Sequence, residues 1–383
     1  METSGEEEAM GTDRAELARA AIEGTATRGV PSWLIHPMEH AMIERLADAA
    51  PGDYRKDPER VYLAMQNNVG TCMIDQFIPD NPLTIGNHGY EGADKGATTG
   101  AERIVIDGVE IDSPEAVCEH MERFAFPSIR KAIAGFDEDD RVREVLEQEA
   151  LVQKRIGPAI LKAPYGCARF PCLRYGHYGY ANYFMAYALY PEVMERDFSL
   201  QADLALLNNR AVARAYVEGN LPRLWRADHD MADSRGTLAD VKSLDRIWFP
   251  HFARCMAPVI QAGVKVIWHC DGNLMAMVPR LLEAGLVGFQ GFQYEDGMDY
   301  EKICRMKTRD GGGLLIIAGV SVTRTLPYGT PADVKREMAF LVENGPERGL
   351  FLGGSSSIAP GVPWENLAAL VEGFKYYREH GRG

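Results

Sequence analysis

The sequence predicts a single (β/α)8 (TIM) barrel with an N-terminal helical extension and an inserted β-hairpin. Three observations carry that reading. Eight short apolar segments, near residues 32, 72, 159, 223, 264, 287, 314 and 350, recur along the chain, and most are followed by a helical pattern. One of these units, VKVIWHCDGN at Val264–Asn273, runs from a β-branched and aromatic strand straight into His269, Cys270 and Asp271, so reactive groups stand at the carboxyl end of a strand. No glycine-rich dinucleotide fingerprint follows the first strand, which argues against an open doubly wound sheet.

The elements follow in order. Met1–Asp13 (METSGEEEAMGTD) is expected to be a mobile acidic tail, leaving residues 14–383 as one barrel domain. Arg14–Thr25 has helical spacing. Val30–His36 is the first strand and ends on a histidine; Pro58–Val69 is a helix, and Cys72–Ile78 a strand containing Asp75. The run 81–100, rich in Gly, Asn and Thr, is loop. Arg103–Ile111 is a hairpin turning at Asp107-Gly108. Ser113-Pro114 starts a helix through Phe124, and Asp137–Ile156 is a long charged helix. The strand Ala159–Ala163 leads into a loop dense in Tyr165, Arg169, Phe170, Arg174, Tyr175, His177, Tyr178 and Tyr180.

Helices fill Asn182–Leu189 and Pro191–Glu218. The strand Arg223–Ala227 ends in Asp228-His229-Asp230, and a helix over Leu244–Ala262 precedes the strand at Val264. Leu274–Ala284 is helical up to Gly285. Val287–Phe292 runs into Tyr294 and Glu295, and Gly313–Ala318 is followed by a helix at Thr330–Val342. Leu350–Leu352 enters Gly353–Ser357, and Trp364–Glu379 closes as a helix.

Composition narrows the function. Across 383 residues, 46% hydrophobic and 25% charged content is that of an ordinary soluble globular chain. A net charge of −14 argues against nucleic acid or an anionic membrane as main partner, although it leaves room for a local basic pocket. No apolar run reaches membrane-spanning length, and the acidic start is no secretory signal. Seven scattered cysteines read as reduced thiols of a cytoplasmic protein. Cys167 and Cys172 lack a second pair and are not read as a metal site.

Three segments, VKVIWHCDGNLMAMVPRLLEAG (Val264–Gly285), LPYGTPADV (Leu326–Val334) and SIAPGVPWENLAALV (Ser357–Val371), resemble the uroporphyrinogen decarboxylase superfamily; Trp225–Asp230 (WRADHD) is weaker but collinear. The resemblance runs from about residue 180 to the end. It implies a barrel, and either a decarboxylase or a methyltransferase that works with a corrinoid protein. It also implies homodimerisation. Where the decarboxylases carry an arginine signature after the first strand, this chain reads Ser32–His40 without arginine, so uroporphyrinogen itself is not the expected substrate. The thiol-methylating branch is similar to a His/Cys/Cys zinc enzyme. Its ligand positions fall here on His269, Asp271 and Ser356, with Cys270 facing away.

The expected function is transfer of a methyl group from a small aromatic ether or amine to a corrinoid on a partner protein, with a divalent metal such as zinc at His269 and Asp271. The catalytic set is His269, Asp271, Asp228 and Asp230, and the substrate set is His36, Asp75, Tyr165, His177, Tyr178, Tyr294 and Glu295. The alternatives are a decarboxylase of a small carboxylate, anchored by Arg169 and Arg174, and a catalytically silent tetrapyrrole-binding or scaffold barrel. Asp271 beside Gly272 also suits a simple turn or helix cap.

Overall fold

The computed structural model describes residues 14–80 and 103–382; the stretches expected as acidic tail and as loop at 81–100 lie outside the described residues. A helix over 14–23 precedes the first strand. The strands of the ring are β1 (32–33), β2 (Met73–Ile74), β3 (Leu161–Lys162), β4 (Leu224–Asp228), β5 (Lys265–His269), β6 (Gly288–Gln290), β7 (Leu315–Val320) and β8 (Leu350–Gly354). All eight fall where the apolar segments predict them.

Neighbour order follows chain order. Parallel ladders join β4 through β8 as one five-stranded sheet. Single bridges then link β8 to β1 (Leu352 to Ser32) and β1 to β2 (Trp33 to Met73), and a two-residue ladder links β2 to β3. The fold is thus a parallel α/β fold with the strand order of a barrel. Among the described residues, no ladder joins β3 to β4. Side chains cross there instead: Tyr165, just after β3, donates to Asp228 at the end of β4 (2.9 Å).

Burial explains the strands. Ile316, Ala318 and Val320 of β7 and Phe351 of β8 have no solvent exposure, and each large apolar side chain so placed stabilises by about 1.5–3 kcal/mol relative to exposure. The short β3 is anchored to the helix Glu138–Ile156 by polar contacts as well. Lys162 donates to Glu149 (2.8 Å), both buried, and its amide donates to Gln153 (2.9 Å). The hairpin Val105–Ile106 with Val109–Glu110 is antiparallel and turns at Asp107 and Gly108, both at positive φ, as its Asp-Gly predicts.

Prolines revise three helix limits. The helix expected over Leu244–Ala262 is two, Val241–Ile247 and Phe249–Gln261, because Pro250 has no N–H to continue the first. The one expected over Leu274–Ala284 shortens to Val278–Glu283, since an earlier start would bury Pro279 in the helix interior. The helix beginning after Ser113 does not stop at Phe124. It widens into a π-turn at Met121–Ala125 and resumes over Phe126–Ala134, so Pro127 sits in a fresh first turn. Among the described residues, no helix is long and apolar enough to cross a membrane.

Candidate active site

Alternation along β4 sorts its side chains. Trp225 packs edge-on against Phe170 on the outside of the ring, whereas Arg226 and Asp228 share the opposite face. Asp228 stands in register with His269 of β5, and His269 with Gln290 of β6, so the three polar residues lie abreast on the inner face.

Arg226 is the hub on this face. Its Nε donates to Asp75 (2.7 Å) and its Nη1 to Asp228 (2.8 Å), and its guanidinium lies 5.2 Å from the Trp33 ring centroid and 4.9 Å from that of Tyr165. Arg226 and Asp75 are each 3% exposed. Asp75 also accepts from Trp33 Nε1 (2.9 Å) and from the Gln76 amide (2.8 Å). Burial would raise the Asp75 carboxyl, but the adjacent Arg226 outweighs it and holds the group below its usual range. Asp228 behaves likewise: burial raises it, while His269, Arg226 and the Tyr165 hydroxyl together bring it below the usual value. Asp75 therefore ties β2 to β4 across the ring.

A second group stands at the ends of β4 and β5. Asp230, His269 and Asp271 offer three ligand atoms within 4.8 Å of one another. His269 Nε2 is 3.9 Å from Asp271 Oδ1. Asp271 is held from both sides, accepting from Gln293 Nε2 (3.3 Å) and from Ser356 Oγ (3.3 Å). Its own amide donates to Asp230 (2.9 Å). Burial, together with the Asp230 and Asp228 charges, pushes the Asp271 carboxyl above the usual range against the pull of His269. Gly272 makes this loop possible. It sits at φ +85° with the Asp233 backbone so close that a Cβ would lie 2.6 Å from its carbonyl oxygen. Gly291 does the same beside the imidazole, where a Cβ would lie 3.0 Å from His269 Nδ1.

The predicted residues divide by position. His269, Asp271, Asp230, Asp228, Asp75 and Tyr165 converge at the strand ends, with Ser356 bonded to Asp271. His36 follows β1 as a buried imidazole, drawn down to about 4 by burial despite Asp75 nearby, and its Nε2 has no partner. Glu295 accepts from Ser321 (2.6 Å) and Thr323, with Oε2 unpartnered, and the Tyr294 hydroxyl is also unpartnered. His177 and Tyr178 are a correction. Tyr178 is fully buried, its hydroxyl 2.9 Å from His120, which in turn meets Asp107 of the hairpin (3.0 Å), and His177 packs edge-on to the same His120. These rings fasten the hairpin to the body. Arg174 is likewise structural, paired with the buried Asp197 (2.9 Å). Cys270 does face away: its buried sulfur accepts from the Met231 amide (3.3 Å).

Sequence reading missed Arg226, Gln290 and Gln293. The available signal for Arg226 was its two-residue spacing from Asp228 in a strand, which puts both on one face. Five of the eight buried polar atoms without a partner among the described residues belong to His36, Arg226, His269, Tyr294 and Glu295 at or near strand ends. Packed interiors seldom leave such atoms unmet, so their concentration near the strand ends singles out this region as the candidate site.

A parallel α/β fold with polar groups gathered at its strand ends defines an enzyme-like class. Residues 229–377, which contain the Asp230–His269–Asp271 group and Ser356, match the family model described as uroporphyrinogen decarboxylase (URO-D). Among solved structures, the chain is similar to a methyltransferase from Methanosarcina mazei, with a TM-score of 0.55 and 15% identity over 95% of this chain and 98% of that one. No curated protein matches. The family likeness is thus confined to residues 229–377, while the likeness in fold extends over nearly the whole chain.

Proposed function

We propose that this chain is a methyltransferase that takes the methyl group from a small aromatic ether or amine and passes it to a corrinoid carried by a partner protein. The observation that carries this reading is the convergence of Asp230, His269 and Asp271. One imidazole and two carboxylates suit a hard or borderline divalent cation such as zinc. The neighbours fit that use, since Gln293 and Ser356 orient Asp271 while the Asp271 amide orients Asp230. A thiolate-rich site does not fit, because Cys270 is turned to the Met231 amide.

A bound cation would supply Lewis acidity to the heteroatom that loses its methyl group. The methyl leaves without the bonding electrons, which remain on the oxygen or nitrogen, and a proton from solvent completes the alcohol or amine. The residues of the chain do the positioning. Tyr165 and Tyr175 reach the strand ends through Asp228 and the Asp230 carbonyl, and Tyr175 stacks on His229 at 5.8 Å. These rings offer apolar faces to an aromatic or cationic substrate. Decarboxylation of a small acid is less well served. Of the anchors expected for it, Arg169 is exposed and Arg174 is paired with Asp197, while the buried Arg226 faces Asp75 and Asp228.

Metal analysis with an anaerobic assay tests the reading. Purified protein should hold a stoichiometric divalent cation that His269→Ala loses, and it should form methylcobalamin from reduced cobalamin with a methoxyaromatic or a methylamine. Failure to bind added zinc, or carbon dioxide release from a carboxylate without cobalamin, would overturn it.

A further inference from the structure

The opposite face of the ring carries a separate cavity of about 630 Å³, within the size range of small-molecule sites. Lys265, the first residue of β5, lines it, as do Leu315 at the start of β7 and Gly349 just before β8. It therefore opens at the amino ends of the strands, away from the Asp230–His269–Asp271 group.

Its charge is unusual for this chain. The protein carries −14 overall, yet Lys265, Lys307 and Arg348 all line this cavity. Among the described residues, none of the three is within ion-pair distance of a carboxylate. Nearby Arg305 and Arg309, by contrast, pair with Glu301 and Asp310. Glu347 also lines the cavity and Glu23 acts on Lys265 from a distance, so positive charge remains in excess. Partial burial disfavours the Lys265 ammonium. An unpaired, half-dry cation gains most from an arriving anion.

The wall is shaped in advance. Thr308 accepts the Gly311 and Gly312 amides at its carbonyl and hydroxyl, and its own amide donates to the Gly312 carbonyl. A Cβ at Gly313 would meet nothing within 4 Å, so the backbone there borders open space. Three cations around one space suit a ligand with several charges on closely spaced oxygens. A monocarboxylate would leave two of them unmet, whereas a pyrophosphoryl group meets all three.

We propose that this cavity binds a small phosphorylated anion, with Lys265, Lys307 and Arg348 contacting its phosphoryl oxygens beside the open Gly313 backbone. Titration calorimetry of the full chain with inorganic pyrophosphate, at ionic strength matched with sodium chloride, tests this. Saturable binding is expected, weakened about tenfold or more by Lys265→Ala, Lys307→Ala or Arg348→Ala. Gly313→Glu, which places an acidic side chain in open space, should abolish it. Thermal melts should show all four variants folded, with their metal content unchanged. No saturable binding at millimolar pyrophosphate, or equal affinity in all the folded variants, would overturn the proposal.

Discussion

From Leu224 to Gly354 each seam of the ring is held by a ladder of three to five residue pairs, whereas β8, β1, β2 and β3 meet through one or two pairs at a time. The laced half relies on the backbone and on side chains such as Ile316 and Phe351. The other half relies on particular polar side chains, with Asp75 held by Arg226, Trp33 and the Gln76 amide, and Lys162 by Glu149. The family match, residues 229–377, covers most of the laced half. Regular hydrogen bonding tolerates many sequences. A clamp built from single charged residues does not, and here Asp75 and Arg226 border the candidate active site.

The largest effect should come from breaking the clamp. Arg226→Met leaves the buried Asp75 with no counter-charge, which costs about 3–5 kcal/mol in urea denaturation at pH 7. That cost should shrink toward pH 4, as the stranded carboxylate takes up a proton. In the laced half, Ile316→Ala should cost about 2–5 kcal/mol with no such pH dependence. Equal pH behaviour of the two variants would erase the distinction.

His36 sharpens the contrast from the side of β1. Burial draws it from 6.5 down to about 4, so between those values the unfolded chain binds a proton that the folded chain refuses. Its contribution is whole above pH 6.5 and shrinks as the pH falls toward 4, by at most about 3 kcal/mol. His36→Gln should flatten that slope in denaturation measured at pH 7, 6 and 5, and an unchanged slope would refute the assignment. The smallest effect belongs to Tyr165→Phe. Loss of its bond to Asp228 across the unlaced seam should cost about 1 kcal/mol and leave metal content unchanged, as measured by denaturation and metal analysis.

The two halves also differ in how readily they are read from sequence. Strand positions were legible throughout, because apolar runs bounded by polar loops survive even where a strand pairs through two residues. His269, Asp271, Asp228 and Asp230 were legible because a strand end fixes their place. Arg226 was missed although its spacing from Asp228 was there to read, and its tie to Asp75, 151 residues away, leaves no local pattern at all. His177 and Tyr178 misled for a related reason. An aromatic-rich loop looks the same whether its rings face a substrate or a hairpin, and only His120, 58 positions before Tyr178, decides between them.

Cys270 sits between the two most reactive-looking members of the loop, yet it is 5% exposed, and burial with the adjacent Asp230 charge raises its thiol far above neutrality. Protonated and shielded, it offers alkylating agents and peroxide almost no thiolate to attack. Oxidation at that sulfur is therefore disfavoured at this end of the strands.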